Sequence, residues 1–188
     1  MNELIKEFDD FVSDYPRMIE SNSCVALRHI ATGRYLSSCN KKYYKSNNQV
    51  VYCGDPVLNN DALWIINANN LTNLKACENS ITLRHKFYSN NYLSVYYDES
   101  SNTACYKACC NNKCLTWTLQ HIKNERNYLK SHDNVLLKMS FDENKTIKIL
   151  TLRSHEINFE IDNNIYQEVF THENRIGGID EWCIELIK

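Results

Sequence analysis

Val25-Ala26-Leu27-Arg28-His29 returns as Ile81-Thr82-Leu83-Arg84-His85 and again, blurred, as Val135-Leu136-Leu137-Lys138-Met139. The central leucines stand 56 and 54 residues apart. A fixed period of this kind marks a repeat architecture, in which each unit buries its apolar face against its copies. Within each copy the residues alternate as in a strand: Val25, Leu27 and His29 share one face, and Ala26 and Arg28 the other.

The echo extends on both sides. A turn follows each strand, at Thr32-Gly33, Asn90-Asn91 and Asp142-Glu143-Asn144. Second strands come next: Tyr35-Leu36-Ser37, Tyr92-Leu93-Ser94 and Ile147-Lys148-Ile149. Each copy closes on a tryptophan strand, where Trp64, Trp117 and Trp182 share a face with Ile66, Leu119 and Ile184, a core pattern. Leu74-Lys75 and Leu129-Lys130 form matching lead-ins. The third copy is longer by about ten residues, an insertion placed within 153–176. Hairpin units of this size cannot bury a core singly, and closing them into a barrel removes exposed edges. The expected fold is all-β: one β-trefoil over 17–188, with repeats at about 17–72, 73–127 and 128–188.

Residues 1–16 read differently. Leu4, Phe8, Phe11, Val12 and Tyr15 recur at helical spacing and Pro16 stops the pattern, which predicts a short amphipathic helix packed on the domain or on a partner.

The totals exclude several classes. A formal net charge of −2 gives no bulk attraction to nucleic acid or anionic membrane. No apolar run approaches the roughly 20 residues of a bilayer span. Met1-Asn2-Glu3-Leu4-Ile5-Lys6-Glu7 is charged and lacks a signal-peptide core, so a cytoplasmic location is expected, and an endoplasmic-reticulum one only if a signal was removed. Nine cysteines is an odd number, and reduced thiols are the default. Asn70-Leu71-Thr72 and Asn144-Lys145-Thr146 spell glycosylation acceptors, read as chance in an asparagine-rich chain.

The leucine-arginine-histidine strand, the run Thr32-Gly33-Arg34-Tyr35-Leu36-Ser37-Ser38, Gln49-Val50-Val51, and Asp61 before Trp64 together resemble a MIR domain over about 20–187. The resemblance is specific in the first repeat, good in the second and weak in the third. It implies a β-trefoil. MIR domains occur in protein O-mannosyltransferases, in inositol trisphosphate and ryanodine receptors, and in stromal-cell-derived-factor-2-like proteins. They are accessory modules that bind ligands or other proteins, so the resemblance implies fold closely and function loosely.

Candidate chemistry divides by comparison of the copies. His29 and His85 share the apolar face that Met139 takes in the third copy, so they are expected in the core with Leu27, Leu83, Leu137 and the tryptophans. Arg28, Arg84 and Lys138 fall on the opposite face, as a sparse basic ring for an anion or as solvated charges. Arg34 with Lys41, Lys42, Tyr43, Tyr44 and Lys45 forms a basic-aromatic patch. It suits sugar stacking with an anion clamp, or is a solubilising loop. Cys105, Cys109, Cys110 and Cys114 have zinc-like spacing, but an extended strand separates residues four apart by about 13 Å. Asp55, Asp61, Asp180 and Glu181 are the candidates for a carboxylate pair, and no catalytic motif places them together. A non-enzymatic, monomeric module without cofactor or metal is expected, recognising a carbohydrate or a (glyco)protein partner through its trefoil loops. A pure protein scaffold and an anion sensor of the inositol phosphate type are the alternatives.

Overall fold

The computed structural model describes residues 17–44, 46–68, 73–88, 90–98, 106–123, 128–143, 146–173 and 176–187. The predicted helix over 1–16 and the sequon at 70–72 lie outside the described residues.

The first repeat contains β1 (Cys24–His29), β2 (Leu36–Lys42), β3 (Gln49–Cys53) and β4 (Trp64–Asn67). The second contains β5 (Ser80–His85), β6 (Tyr92–Tyr97), β7 (Tyr106–Asn111) and β8 (Trp117–His121). The third contains β9 (Asp133–Glu143), β10 (Thr146–Ile161), β11 (Asn164–Glu173) and β12 (Trp182–Leu186). Asp142 and Glu143, expected in a turn, pair with Ile147 and Thr146 as strand residues.

The first and last strands of the repeats close a ring: β1 pairs with β4, β4 with β5, β5 with β8, β8 with β9, β9 with β12, and β12 with β1. The middle strands form three hairpins. Their return strands meet in a triangle, β3 with β7, β7 with β11 and β11 with β3. A six-stranded barrel joined to a triangular hairpin cap is a β-trefoil. Both rings close, which leaves the barrel no free edge.

The pseudo-threefold is visible in single hydrogen bonds. The indole N–H groups of Trp64, Trp117 and Trp182 donate to the carbonyls of Leu36, Leu93 and Leu152 at 2.9, 3.0 and 3.1 Å. Each tryptophan is fully buried, so its one polar atom needs that partner. A third ring is made by the lead-ins: Ile19 N–H donates to Leu129, Leu74 to Ile19, and Leu129 to Leu74, at 2.9, 3.2 and 2.7 Å. Ile19 is the member of this set that inspection of the sequence did not single out. One core cluster holds Leu27, Leu83, Leu137 and the three tryptophans, all with no solvent exposure.

The extra length of the third repeat lies in the β10–β11 hairpin, within the stretch expected for the insertion. Asp162 and Asn163 turn it with φ of 50° and 62°, the backbone of a type I′ turn. Phe159, Ile161 and Tyr166 of this hairpin fold over Tyr43, Val50, Tyr52 and Cys109 as a second apolar cluster. No helix among the described residues is long and apolar enough to cross a membrane.

Candidate ligand-binding site

The three copies differ at a few structurally equivalent positions, and those of the second repeat converge on one cleft. The first difference is at the end of the opening strand. His29 and His85 are fully buried beside Trp182 and Trp64, at ring distances of 4.9 and 5.2 Å. Nε2 of His29 donates to the carbonyl of Ile179 at 2.9 Å, and Nε2 of His85 to that of Asp61 at 3.0 Å. Both carbonyls sit in short 3-10 turns, Gly178–Asp180 and Asn60–Ala62, ahead of the closing tryptophans. The Nδ1 atoms accept, from the Thr32 hydroxyl at 2.9 Å and from the Phe87 N–H at 3.3 Å. Burial lowers both imidazole pKa values from the ordinary 6.5, so the neutral rings act as structural connectors. Residues 113–116 enter Trp117 without a 3-10 turn, and here β9, the opening strand of the third repeat, supplies Met139, which needs no acceptor.

The second difference is in the cap. Gln49 Nε2 donates to Ser38 Oγ at 2.9 Å, and Ser38 donates on to the carbonyl of Val50 at 2.8 Å. Gln167, Ser154 and Glu168 repeat this chain with both bonds at 2.8 Å. Register places Gln49, Tyr106 and Gln167 opposite Cys110, Thr171 and Cys53. Ser38, Val95 and Ser154 likewise each follow a tryptophan-bonded leucine by two residues. The second repeat therefore replaces a buried serine–glutamine pair with Val95 and Tyr106.

Val95, Tyr106, Leu115 and Met139, the residues at these departures, all line a cleft of about 380 Å³. Tyr96 and Tyr97 extend the aromatic wall, with Tyr97 half exposed and its ring 5.3 Å from that of Tyr106. The amides of Asn48 and Asn111 stand at the same cleft, joined by an Asn111 Nδ2 to Asn48 Oδ1 bond of 2.9 Å, with the exposed Lys113 beside them. Asn111 spends its amide donors on Asn48 Oδ1 and on Cys109 Sγ at 3.5 Å, and its oxygen accepts from the Lys113 N–H at 2.9 Å. Aromatic faces beside the Asn48 Nδ2 group and the remaining amide lone pairs can take a ligand with C–H faces and hydroxyl groups. A larger cleft of about 570 Å³ lies beyond Met139, between Cys77, Thr118 and Gln120 on one side and Lys138, Ser140 and Ile149 on the other.

The residues singled out from sequence are distributed differently. Tyr43, expected on a loop, is buried. Its hydroxyl lies 3.0 Å from the carbonyls of Val51 and Ala108, and its ring packs on Tyr96 and Phe159 at 5.3 and 5.8 Å. Besides Val51 of β3, its partners come from β6, β7 and the long third hairpin, which local sequence cannot reveal. Tyr44 is fully exposed and Lys42 exposed, while Lys45 lies outside the described residues. Lys41 pairs with Asp162 at 2.9 Å, and Arg34 donates to the Gly54 carbonyl at 2.9 Å. The basic-aromatic patch is thus not one surface.

The basic ring is also uneven. Arg28 Nε pairs with Glu185 Oε1 at 2.8 Å, and Tyr35 donates to the other carboxylate oxygen at 2.8 Å. Asn67 and Gln120 occupy the positions equivalent to Glu185, so Arg84 and Lys138 lack this acid. His132, Cys183 and Glu185 bring one metal-ligating atom each within 4.8 Å. Arg28 and Tyr35 already hold both oxygens of that carboxylate, and the fixed guanidinium opposes a second cation.

Cys109 and Cys110 are buried on opposite faces of β7, in different apolar clusters, and Cys114 is exposed beyond it. Burial pushes the Cys110 thiol up to about 12 and raises that of Cys109. Cys105 lies outside the described residues. Among the candidate acids, Asp61 accepts from Tyr52 at 3.2 Å, and the buried Asp180 accepts from Gly177 N–H and lies 2.9 Å from Arg153 Nε. Glu181 directly follows the Gly178–Asp180 turn, and the Asp55 carbonyl accepts from the Tyr35 N–H at 3.3 Å.

No family model and no curated protein sequence matches the chain. Solved structures do. The SDF2-like protein of Arabidopsis thaliana superposes with a TM-score of 0.71 at 19% identity, covering 89% of this chain and 94% of that one. The S. cerevisiae protein O-mannosyltransferase Pmt1-Pmt2 complex, solved with its sugar donor, gives 0.71 at 17% identity over 90% of this chain and a quarter (25%) of that one. The Macrolepiota procera ricin B-like lectin, solved with lactose, gives 0.57 at 13% over 90% and 99%. Identities this low establish the fold, a β-trefoil. The fold these structures share with the chain is the one that the MIR resemblance of the repeat pattern implies.

Proposed function

We propose that this chain is a non-catalytic binding module that takes a carbohydrate ligand in the tyrosine-lined cleft of its second repeat. The observation that carries the reading is convergence. Val95, Tyr106 and Leu115, where the second repeat leaves the pattern of the other two, and Met139, the third repeat's replacement for the histidine, all line one cleft with two asparagine amides. A pyranose offers that cleft an apolar C–H face for the tyrosines and hydroxyls for the amides. The lactose complex of the M. procera lectin is consistent with a sugar-binding use of this fold. Recognition chemistry is what these groups support: Asp61 accepts from Tyr52, Asp180 is engaged by Gly177 and Arg153, and burial favours the neutral form of both histidines.

A glycan array followed by titration calorimetry tests this. We expect binding to a restricted set of glycans, lost in Tyr97→Ala and kept in Tyr44→Ala. Binding that survives Tyr97→Ala and disappears in Tyr44→Ala would move the site to the β2–β3 loop. One observation favours a second reading, a protein-interaction domain: Ile147, Ile149, Ile157 and Ile165 of the third hairpin are 52–74% exposed. Failure of every glycan to bind, with direct binding of a purified protein partner, would select that reading.

A further inference from the structure

Asn22, Cys77 and His132 hold equivalent places just after the lead-in ring. Each has a left-handed backbone, with φ of 72°, 65° and 75°, and each donates its N–H to a closing tryptophan strand, at Ile66, Leu119 and Ile184. Their side chains differ. The Asn22 amide oxygen accepts from Asn67 at 3.0 Å, and His132 lies against Cys183 and Glu185. Cys77 is short and exposed, and beside it opens the larger cleft of about 570 Å³ on the outer face of β8 and β9.

The cation of this cleft lacks the acid that its first-repeat counterpart has. Register puts Arg28 opposite Cys183 and diagonal to Glu185, which it holds at 2.8 Å. Lys138 stands in the same relation to Thr118 and Gln120. Glutamine carries no charge, and among the described residues no side chain pairs with the Lys138 ammonium. Glu78, next to Cys77, faces Lys75 at 3.8 Å instead. The Thr118 hydroxyl lies directly across the strand pair from Lys138, and the Ser140 hydroxyl two residues along the same face. Ile149 pairs with Ser140 and is 52% exposed, which gives the cleft an apolar wall.

We infer that this cleft binds a small organic anion, with its charged group on Lys138 and the Thr118 and Ser140 hydroxyls and its apolar body against Ile149. The volume is that of a small-molecule site. A partly buried ammonium without a counter-ion gains from an anion that hydroxyl donors can also hold, because charge-assisted hydrogen bonds are the stronger kind. Carboxylate, sulfonate and phosphate share this chemistry. The inference does not depend on the sugar reading, since none of the cleft tyrosines lines this site.

The test titrates the full chain, by calorimetry at low ionic strength, with naphthoate, naphthalenesulfonate and naphthyl phosphate. Neutral naphthol and inorganic phosphate serve as the body and the charge alone. We expect at least one naphthyl anion to bind about tenfold or more tightly than either naphthol or inorganic phosphate, and the ranking of the three identifies the preferred headgroup. That gain should vanish in Lys138→Gln and in Gln120→Glu, which installs the acid that Arg28 has, and should persist in Lys138→Arg and Tyr97→Ala. Added salt should weaken the anions and leave naphthol unchanged. Equal affinity for naphthol and the anions would overturn the inference, as would anion binding that survives both Lys138→Gln and Gln120→Glu. Binding of none of the naphthyl anions would overturn it as well. Circular dichroism of each variant separates lost contacts from lost fold, and glycan binding in Lys138→Gln keeps this result separate from that of the tyrosine cleft.

Discussion

The first and second repeats begin with nearly the same strand and end on the same tryptophan bond, yet one is closed and the other opens into a cleft. In the first, His85 reaches across to a 3-10 turn at Asp61, and Gln49 caps Ser38 inside the cap. In the second, the turn is replaced by an extended entry to Trp117, the facing side chain is Met139, and the partly buried Val95 and Tyr106 stand in place of the serine–glutamine pair. The tryptophans, leucines and lead-in ring are alike in both, so the fold tolerates these exchanges. The lesson is that the repeated positions hold the barrel together, and the positions that break the repeat line the cleft proposed as the recognition surface.

The largest expected effect comes from breaking what the repeats share. Trp64→Ala and Trp117→Ala should each cost about 3–5 kcal/mol, since both remove a fully buried ring and strand a leucine carbonyl. Denaturant melts check this. Near-equal losses support equivalence of the two repeats, and a much smaller loss at Trp117 breaks it.

Next comes forcing one repeat to imitate the other. Met139→His puts a buried imidazole where no 3-10 turn offers a carbonyl, and should destabilise by about 1–3 kcal/mol. The reverse change, His85→Met, strands the Asp61 carbonyl and should cost a similar amount, about 1–3 kcal/mol. A stabilising Met139→His would show that the second repeat has an acceptor there after all.

A pH effect of smaller size follows from the same histidines. Burial lowers their folded pKa values below the unfolded 6.5, so the unfolded chain binds more protons. The stabilisation is therefore full above about 6.5 and is lost as pH falls below it toward the folded values. Thermal melts from pH 8 to pH 5 should show this decline, and a His29→Gln, His85→Gln double variant should flatten it. The smallest effect is expected at Lys41, whose exposed bridge to Asp162 is screened. Lys41→Ala should leave Tm unchanged within error.

Much of this architecture is legible in the chain. Periodic leucines, tryptophans and the substitution of Met139 for histidine all report core positions, because burial constrains each copy in the same way. The third ring member, Ile19, escaped because its copy has isoleucine where the others have leucine followed by lysine. The recognition surface was harder to read. Lys41 to Lys45 reads as a loop, but Tyr43 is drawn inward by Tyr96 and Phe159, partners more than fifty residues away. A usable signal did exist for the cleft: Gln49-Val50-Val51 and Gln167-Glu168-Val169 agree at their first and last residues, and Tyr106-Lys107-Ala108 departs from both. Its meaning depends on cross-strand register, which places Tyr106 against Thr171 and beside Val95, and that is a property of the folded cap.

The most direct measurement uses the methionine methyl groups. Met139 lines the proposed site, and Met18, bridged to Lys130 beside the lead-in ring, is not part of its lining. In a methyl-¹³C methionine spectrum titrated with the strongest glycan from the array, the Met139 signal should move and the Met18 signal should stay. Saturable binding that leaves Met139 unmoved would contradict the claim that the second repeat's departures form the ligand site.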